Sequence, residues 1–227
     1  MARESTSVLT KGETGDDTSS ENTDPSAGTL KSYPDIDSWI RVEPDGKITI
    51  FTGKVELGQD LRRSLAMIAA EELDVTLDRI TIVMADTEKT PNERYTTSSM
   101  SLETSGTAIR HAAAEARQVM LLAAAEKLRV SVGELTVTDG CITHRQSQRT
   151  VTYWEIFGGK RFGRKVEGIG KLKNPADYTI IGFPANRLDL LAKVTGKARF
   201  IHDLDFPDMV HGRVIGGPNY GARLKNV

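Results

Sequence analysis

Cysteine is almost absent from this chain. Cys141 stands alone, and one thiol cannot make an internal disulfide, a zinc site or an iron–sulfur cluster. Any electron carrier must therefore sit in another polypeptide or arrive as a bound cofactor. Neither sign of charge is in excess: 30 Lys and Arg against 31 Asp and Glu leave a net charge of −1. That balance gives no electrostatic reason to expect nucleic acid or an anionic membrane as a partner. Long apolar runs are missing too. No secretory leader or twin-arginine signal is legible, and no segment reaches the length of a membrane span, so the expected compartment is the cytoplasm. The four histidines, His111, His144, His202 and His211, show no metal-ligand spacing. Gly-x-Ser-x-Gly, His-Glu-x-x-His and phosphate-loop patterns do not occur. The densest basic stretch, Lys160 to Lys173, is broken by glycines and reads as a solvated loop.

What is present suits a water-soluble chain of 227 residues, 38% hydrophobic and 27% charged, long enough for one large domain or one domain and part of another. Residues 1–33 have little to bury and are expected to be disordered. Trp39–Val42 and Lys47–Thr52 form a hairpin about Pro44-Asp45-Gly46. Leu61, Leu65, Ile68, Ala69 and Leu73 share a helical face, with Asp60 as its N-cap. Arg79–Met84 follows as a strand, completing a strand–loop–helix–strand unit. Met84–Ser105 is polar and irregular, and an alanine-rich helix runs from Gly106 to Leu128. Leu135–Thr138 and Cys141–His144 flank Asp139-Gly140, a strong hairpin signal. Thr152-Tyr153-Trp154-Glu155 fits a capping box that opens a short helix. Gly158–Pro175 reads as a loop, and Asp177–Phe183, Lys197–His202 and Gly212–Ile215 read as strands. The sum is an α+β fold, with no internal repeat.

Chemistry concentrates in two places. Adjacent Glu71 and Glu72 point away from each other on a helix, which argues against a shared acid–base role. In Gly53-Lys54-Val55-Glu56-Leu57-Gly58-Gln59-Asp60, by contrast, glycines admit a close ligand and the following helix directs N–H groups at the loop. Gln59 offers both a donor and an acceptor. An ordinary tight turn capped by Asp60 explains the same residues equally well. Thr96–Ser101 forms a second hydroxyl-rich loop before a helix. Two such loops make a paired cradle for a phosphorylated cofactor.

These loops carry a resemblance. Gly53–Gln59 followed by Ile68-Ala69-Ala70-Glu71-Glu72-Leu73 resembles the molybdenum hydroxylase family of xanthine oxidase and the aldehyde oxidoreductases, and within it the large subunit of the isoquinoline 1-oxidoreductase type. Ser98-Ser99-Met100-Ser101, with Gly106–Arg110 and Ala113–Arg117, is similar to the family's second cofactor loop and helix. Lys193–Phe200, Asp203-Leu204-Asp205 and Met209–Gly212 resemble the opening of its α/β hammerhead domain. The likeness runs from Trp39 to the end of the chain.

The resemblance implies a molybdopterin-binding segment over residues 34–184 and the beginning of the hammerhead over 185–227. It implies that Leu57, Gly58, Gln59, Ser98, Ser99, Met100 and Ser101 bind the molybdenum cofactor in its cytosine dinucleotide form, with no protein ligand to the metal. The implied reaction hydroxylates an N-heterocycle or an aldehyde, a small-molecule substrate, with oxygen from water. The implied partners are a separate 2Fe–2S electron-transfer subunit and the remainder of the large subunit. The family's catalytic glutamate lies downstream of Val227, so no catalytic residue is assigned and the chain alone is expected to be inactive. Asp60 stands where the family carries glycine. The alternative is a non-catalytic cofactor-binding or scaffold fragment, and a generic anion or nucleotide binder is a third reading.

Overall fold

The second predicted strand, Lys47–Thr52, is built of β-branched and aromatic residues after its first position, Ile48, Thr49, Ile50, Phe51 and Thr52, which suits a pleated strand packed against neighbours. In the computed structural model, which describes residues 27–187 and 189–226, that strand is central and buried along its whole length. β1 (Ile40–Val42) pairs antiparallel with β2 (Ile48–Thr52), and β2 pairs in parallel with β3 (Ile80–Met84). Gly46 takes φ +86° to close the hairpin. Parallel neighbours need a crossover, and this one holds a helix over Leu61–Leu73.

A short helix, α1 (Ala27–Ser32), precedes this unit, so the crossover helix is α2 (Leu61–Leu73) and the alanine-rich helix is α3 (Thr107–Leu128). Small side chains let α2 and α3 approach closely: Ala66, Ala69, Ala70, Ala108, Ala112, Ala113 and Ala116 are all buried. A π-helical turn, Leu102–Gly106, leads into α3. β4 (Leu135–Thr138), β5 (Cys141–His144) and β6 (Thr150–Thr152) form a second, wholly antiparallel sheet. In α4 (Tyr153–Phe157) the Thr152 hydroxyl accepts from the Glu155 N–H while the Glu155 carboxylate accepts from the Thr152 N–H. Helices packed on two three-stranded sheets make the fold α+β.

The backbone divides into two units, Met1–Ala185 and Asn186–Val227. In the second, α5 (Leu190–Val194) is the only α-helix among the described residues. No described helix is long and apolar enough to cross a membrane.

Two expectations fail. Disorder was expected through Tyr33; residues 1–26 lie outside the described residues, but α1 forms, and Leu30 and Tyr33 pack against the core. The fully buried Trp39 needs an acceptor for its indole N–H, and Tyr33 O supplies it at 3.0 Å. The strands expected at Asp177–Phe183, Lys197–His202 and Gly212–Ile215 do not form. A strand needs a neighbour for its ladder. No described strand flanks the last two segments, while the N–H groups of Thr179, Ile180 and Ile181 go to the Glu71 carboxylate.

That carboxylate belongs to a set that straps residues 167–181 onto the two long helices. Glu71 is fully buried and accepts from Ile180 N at 2.7 Å and Ile181 N at 2.9 Å, with the Lys173 ammonium 3.4 Å away. Glu72, equally buried, accepts from Arg110 Nε at 2.9 Å and from Lys173 N at 3.2 Å. Glu115 accepts from Glu167 N and Gly170 N at 3.1 and 2.8 Å. Gly170 is required here, because a Cβ would lie 2.3 Å from the α3 backbone at Ala114. The adjacent glutamates point apart, as the helical spacing dictates; their burial and their hold on this loop were not legible.

Candidate functional site

The site begins where β2 ends. Gly53 has no room for a side chain, since a Cβ would sit 2.1 Å from Pro91 O. The 91–97 segment therefore runs directly against the loop that leaves the strand. Lys54, buried, donates to Glu93 O at 2.9 Å and to Tyr95 O at 3.0 Å, and Val55 N donates to Thr96 Oγ1 at 2.9 Å. These bonds bring the two hydroxyl- and glycine-rich loops together.

Where they meet, Leu57, Gln59, Ser98, Ser99 and Ser101 line one cavity of about 420 Å³. Gly58 and Met100 lie outside it. Gly58, at φ +110°, turns the backbone, and Met100 lines a neighbouring cavity with Lys54 and Thr97. Thr96, Thr97, Leu61, Ser64 and Leu102 complete the lining. Leu61 and Ser64 share a face at the start of α2, an i, i+3 signal that the loop-centred reading passed over.

The loops do not offer the donors the sequence suggested. Gln59 was expected to face a ligand. Its Oε1 instead accepts from Leu57 N at 2.6 Å and its Nε2 donates to Val55 O at 3.0 Å, so the amide shapes its own loop. Asp60 was expected to cap α2 with its carboxylate. Its backbone is left-handed, its side chain makes no cap bond, and its carboxylate pairs with Arg63. Glu56 caps instead, accepting from Gly58 N at 2.8 Å, Asp60 N at 3.0 Å and Arg62 N at 3.1 Å. Its charge complements the helix dipole and takes the place an anionic ligand was expected to fill.

The serine loop is the open half. Ser98 and Ser99 have φ of +53° and +58°, a conformation costly for residues with a Cβ and concentrated at functional sites. Their N–H groups donate to no described group. Among the described residues, the Ser99 and Ser101 hydroxyls also lack a partner, while Ser98 Oγ lies 3.5 Å from Thr97 Oγ1. No charged side chain lines the cavity. Among the described residues no group of three His, Cys, Asp or Glu could hold a metal ion. The site therefore offers hydroxyls and backbone N–H groups, a donor set that fits the polar ring edges and phosphate oxygens of an organic cofactor and supplies no metal ligand.

A family model described as a molybdopterin cofactor-binding domain matches residues 18–184. One subunit of the nicotinate dehydrogenase of Pseudomonas putida is 38% identical over 183 residues, covering 81% of this chain and 15% of the relative. The beta subunit of the isoquinoline 1-oxidoreductase of Brevundimonas diminuta is 28% identical over 243 residues, covering 88% and 31%. The chain thus spans well under half the length of these relatives. Among solved structures, a reconstituted CO dehydrogenase from Oligotropha carboxidovorans aligns with TM-score 0.47 and 28% identity over 52% of this chain and 15% of that one.

Proposed function

The chain belongs to the molybdopterin cofactor-binding domain family, within the molybdenum hydroxylases, and from that membership we propose that it is the N-terminal part of the cofactor-holding subunit of a molybdenum-dependent oxidoreductase. The observation that carries this reading is the meeting of Leu57–Gln59 and Ser98–Ser101 at one uncharged, donor-lined cavity. Ser98 and Ser99 would bind the cofactor through backbone N–H groups, and Ser99 and Ser101 through hydroxyls. Leu57 would pack against a ring, and Gln59 and Gly58 would hold the first loop in shape. When bound, the cofactor supplies the redox centre at which a carbon of an N-heterocycle or aldehyde is hydroxylated with oxygen from water. In this reading the cofactor is the cytosine dinucleotide form. Residues 34–184 are the binding segment and 185–227 begin the hammerhead. Electrons leave through a separate 2Fe–2S subunit, an assignment supported by the lone cysteine and by relatives that are themselves named as subunits.

Among the described residues the cavity is lined by uncharged side chains, so in this reading the chain contributes the cradle and the base comes from elsewhere. The same observation suits the alternative of a non-catalytic binding or scaffold role. Purification from a host that makes the cofactor, followed by assay of molybdenum, released pterin and turnover on N-heterocycles and aldehydes, tests both points. Co-purifying molybdenum and pterin without turnover by this chain alone is the expected result. Absence of both would overturn the cofactor assignment; turnover would overturn the assignment of the base to another part of the subunit.

A further inference from the structure

We infer that Glu93 is the positioning residue of the cofactor cradle: it ties the three backbone segments that set both loops, without itself reaching the cavity. The inference deepens the proposed function, on which it rests for the identity of the ligand.

Glu93 is 7% exposed, and its Oε2 gathers donors from each segment. Thr52 Oγ1, at the end of β2, lies 2.6 Å away, and Gly53 N, where the first loop leaves the strand, lies 2.8 Å away. Ser105 Oγ, in the π-helical turn where the second loop enters α3, is at 3.1 Å. The Thr52 and Ser105 hydroxyls are themselves 2.8 Å apart. The main chain of Glu93 adds a fourth tie, because its carbonyl accepts the Lys54 ammonium. Three bonds converging on one buried oxygen fix their donors in direction as well as distance, so one carboxyl group sets where the first loop begins and where the second begins and ends.

The other oxygen explains why this is positioning and not ligand contact. Glu93 Oε1 is closed to solvent and has no partner among the described residues, so no ligand in the cradle can touch it. A buried acceptor without a donor costs stability. An apolar residue would avoid that cost, but it would strand the Gly53 N–H and two hydroxyls and release both loops. Glu93 lies outside the lining of the serine cavity, although it borders the neighbouring cavity that Met100 lines. The sequence offered no sign of this role, since one glutamate in a polar stretch looks like a solvated charge.

Amide hydrogen exchange on the cofactor-free chain of 227 residues tests the inference without depending on cofactor binding. Glu93→Ala should speed exchange at the hydrogen-bonded amides of Val55, Met100 and Thr104, which hold the two loops, by about tenfold or more through the loss of the Glu93 bonds, and leave the β4–β5 hairpin unchanged. Glu93→Gln keeps an acceptor in place of Oε2 and should hold exchange within about threefold of wild type. Unchanged exchange in Glu93→Ala, an equal rise in the hairpin, or a Glu93→Gln variant as open as the alanine would each overturn it. Failure of the wild-type chain to co-purify with molybdenum would count against the proposed function and leave the exchange result standing.

Discussion

Two irregular stretches of this fold are held in opposite ways. The strap, residues 167–181, gives its backbone N–H groups to the buried carboxylates Glu71, Glu72 and Glu115. In the serine loop the N–H groups of Ser98 and Ser99 and the hydroxyls of Ser99 and Ser101 find no partner among the described residues, and they do so at a cavity. Irregular backbone must find partners in protein, water or ligand. The strap finds them inside the protein, which spends strong acceptors on fixing a loop. The difference teaches that in this chain buried charge marks scaffold, whereas uncharged open donors mark the place for a ligand.

The largest expected effect breaks the strap. Glu71→Ala leaves the part-buried N–H groups of Thr179, Ile180 and Ile181 without their acceptor and leaves the Lys173 ammonium to Asp74 alone, a loss of about 3–5 kcal/mol. Denaturant unfolding should show this, with Glu71→Gln in between. A loss under about 1 kcal/mol would reduce the strap to a surface loop and dissolve the comparison.

Acid should loosen the scaffold. Burial pushes the Glu71 carboxyl up, but the Ile181, Ile180 and Thr179 N–H groups and the Lys173 charge together hold it below the ordinary carboxylate value. The Arg79 hydrogen bond holds Asp139 down at about 2, with Thr76 assisting. Both are depressed carboxylates, so their stabilisation is complete above the unfolded-state value and is lost as pH falls through the folded-state one. For Asp139 that window runs from 3.8 down to about 2. Unfolding free energy measured across it should fall less steeply in Asp139→Asn than in wild type; parallel slopes would remove Asp139 from the account.

The smallest effect sharpens the cradle side. Asp60 is left-handed, a conformation glycine adopts freely, and its carboxylate faces Arg63 rather than the cavity. Relief of the backbone and loss of a surface ion pair roughly offset each other, so Asp60→Gly should change stability by about 0.5 kcal/mol or less. Cofactor content should also be nearly unchanged. A large gain in content would place the Asp60 charge at the ligand after all.

Much of this was legible. Turn residues at Pro44–Gly46 and Asp139–Gly140 and the apolar spacing of α2 located both hairpins and both long helices, because local chemistry decides those elements. The two loops of the candidate site were legible as well, although Gly58 and Met100 fall outside the cavity and the Gln59 amide turns inward. Three features were beyond reach. The burial of Glu71, Glu72 and Glu115 depends on a strap many residues distant, and the cap by Glu56 instead of Asp60 depends on a left-handed turn. The missing strands at Lys197–His202 and Gly212–Ile215 had the right composition, but a strand also requires a neighbour, which composition does not report.

The most direct measurement sets the serine cavity against a second concavity, the groove lined by Asp74, Thr76, Thr138, Asp139, Ile180 and Phe183. Ser99→Tyr fills the first and Thr138→Tyr the second, both at exposed positions. Pterin released per chain, after identical expression in a cofactor-making host, should drop by about tenfold or more in Ser99→Tyr while its melting temperature stays put, and should match wild type in Thr138→Tyr. Full pterin loading in Ser99→Tyr, or its loss in Thr138→Tyr alone, would contradict the assignment of the cradle.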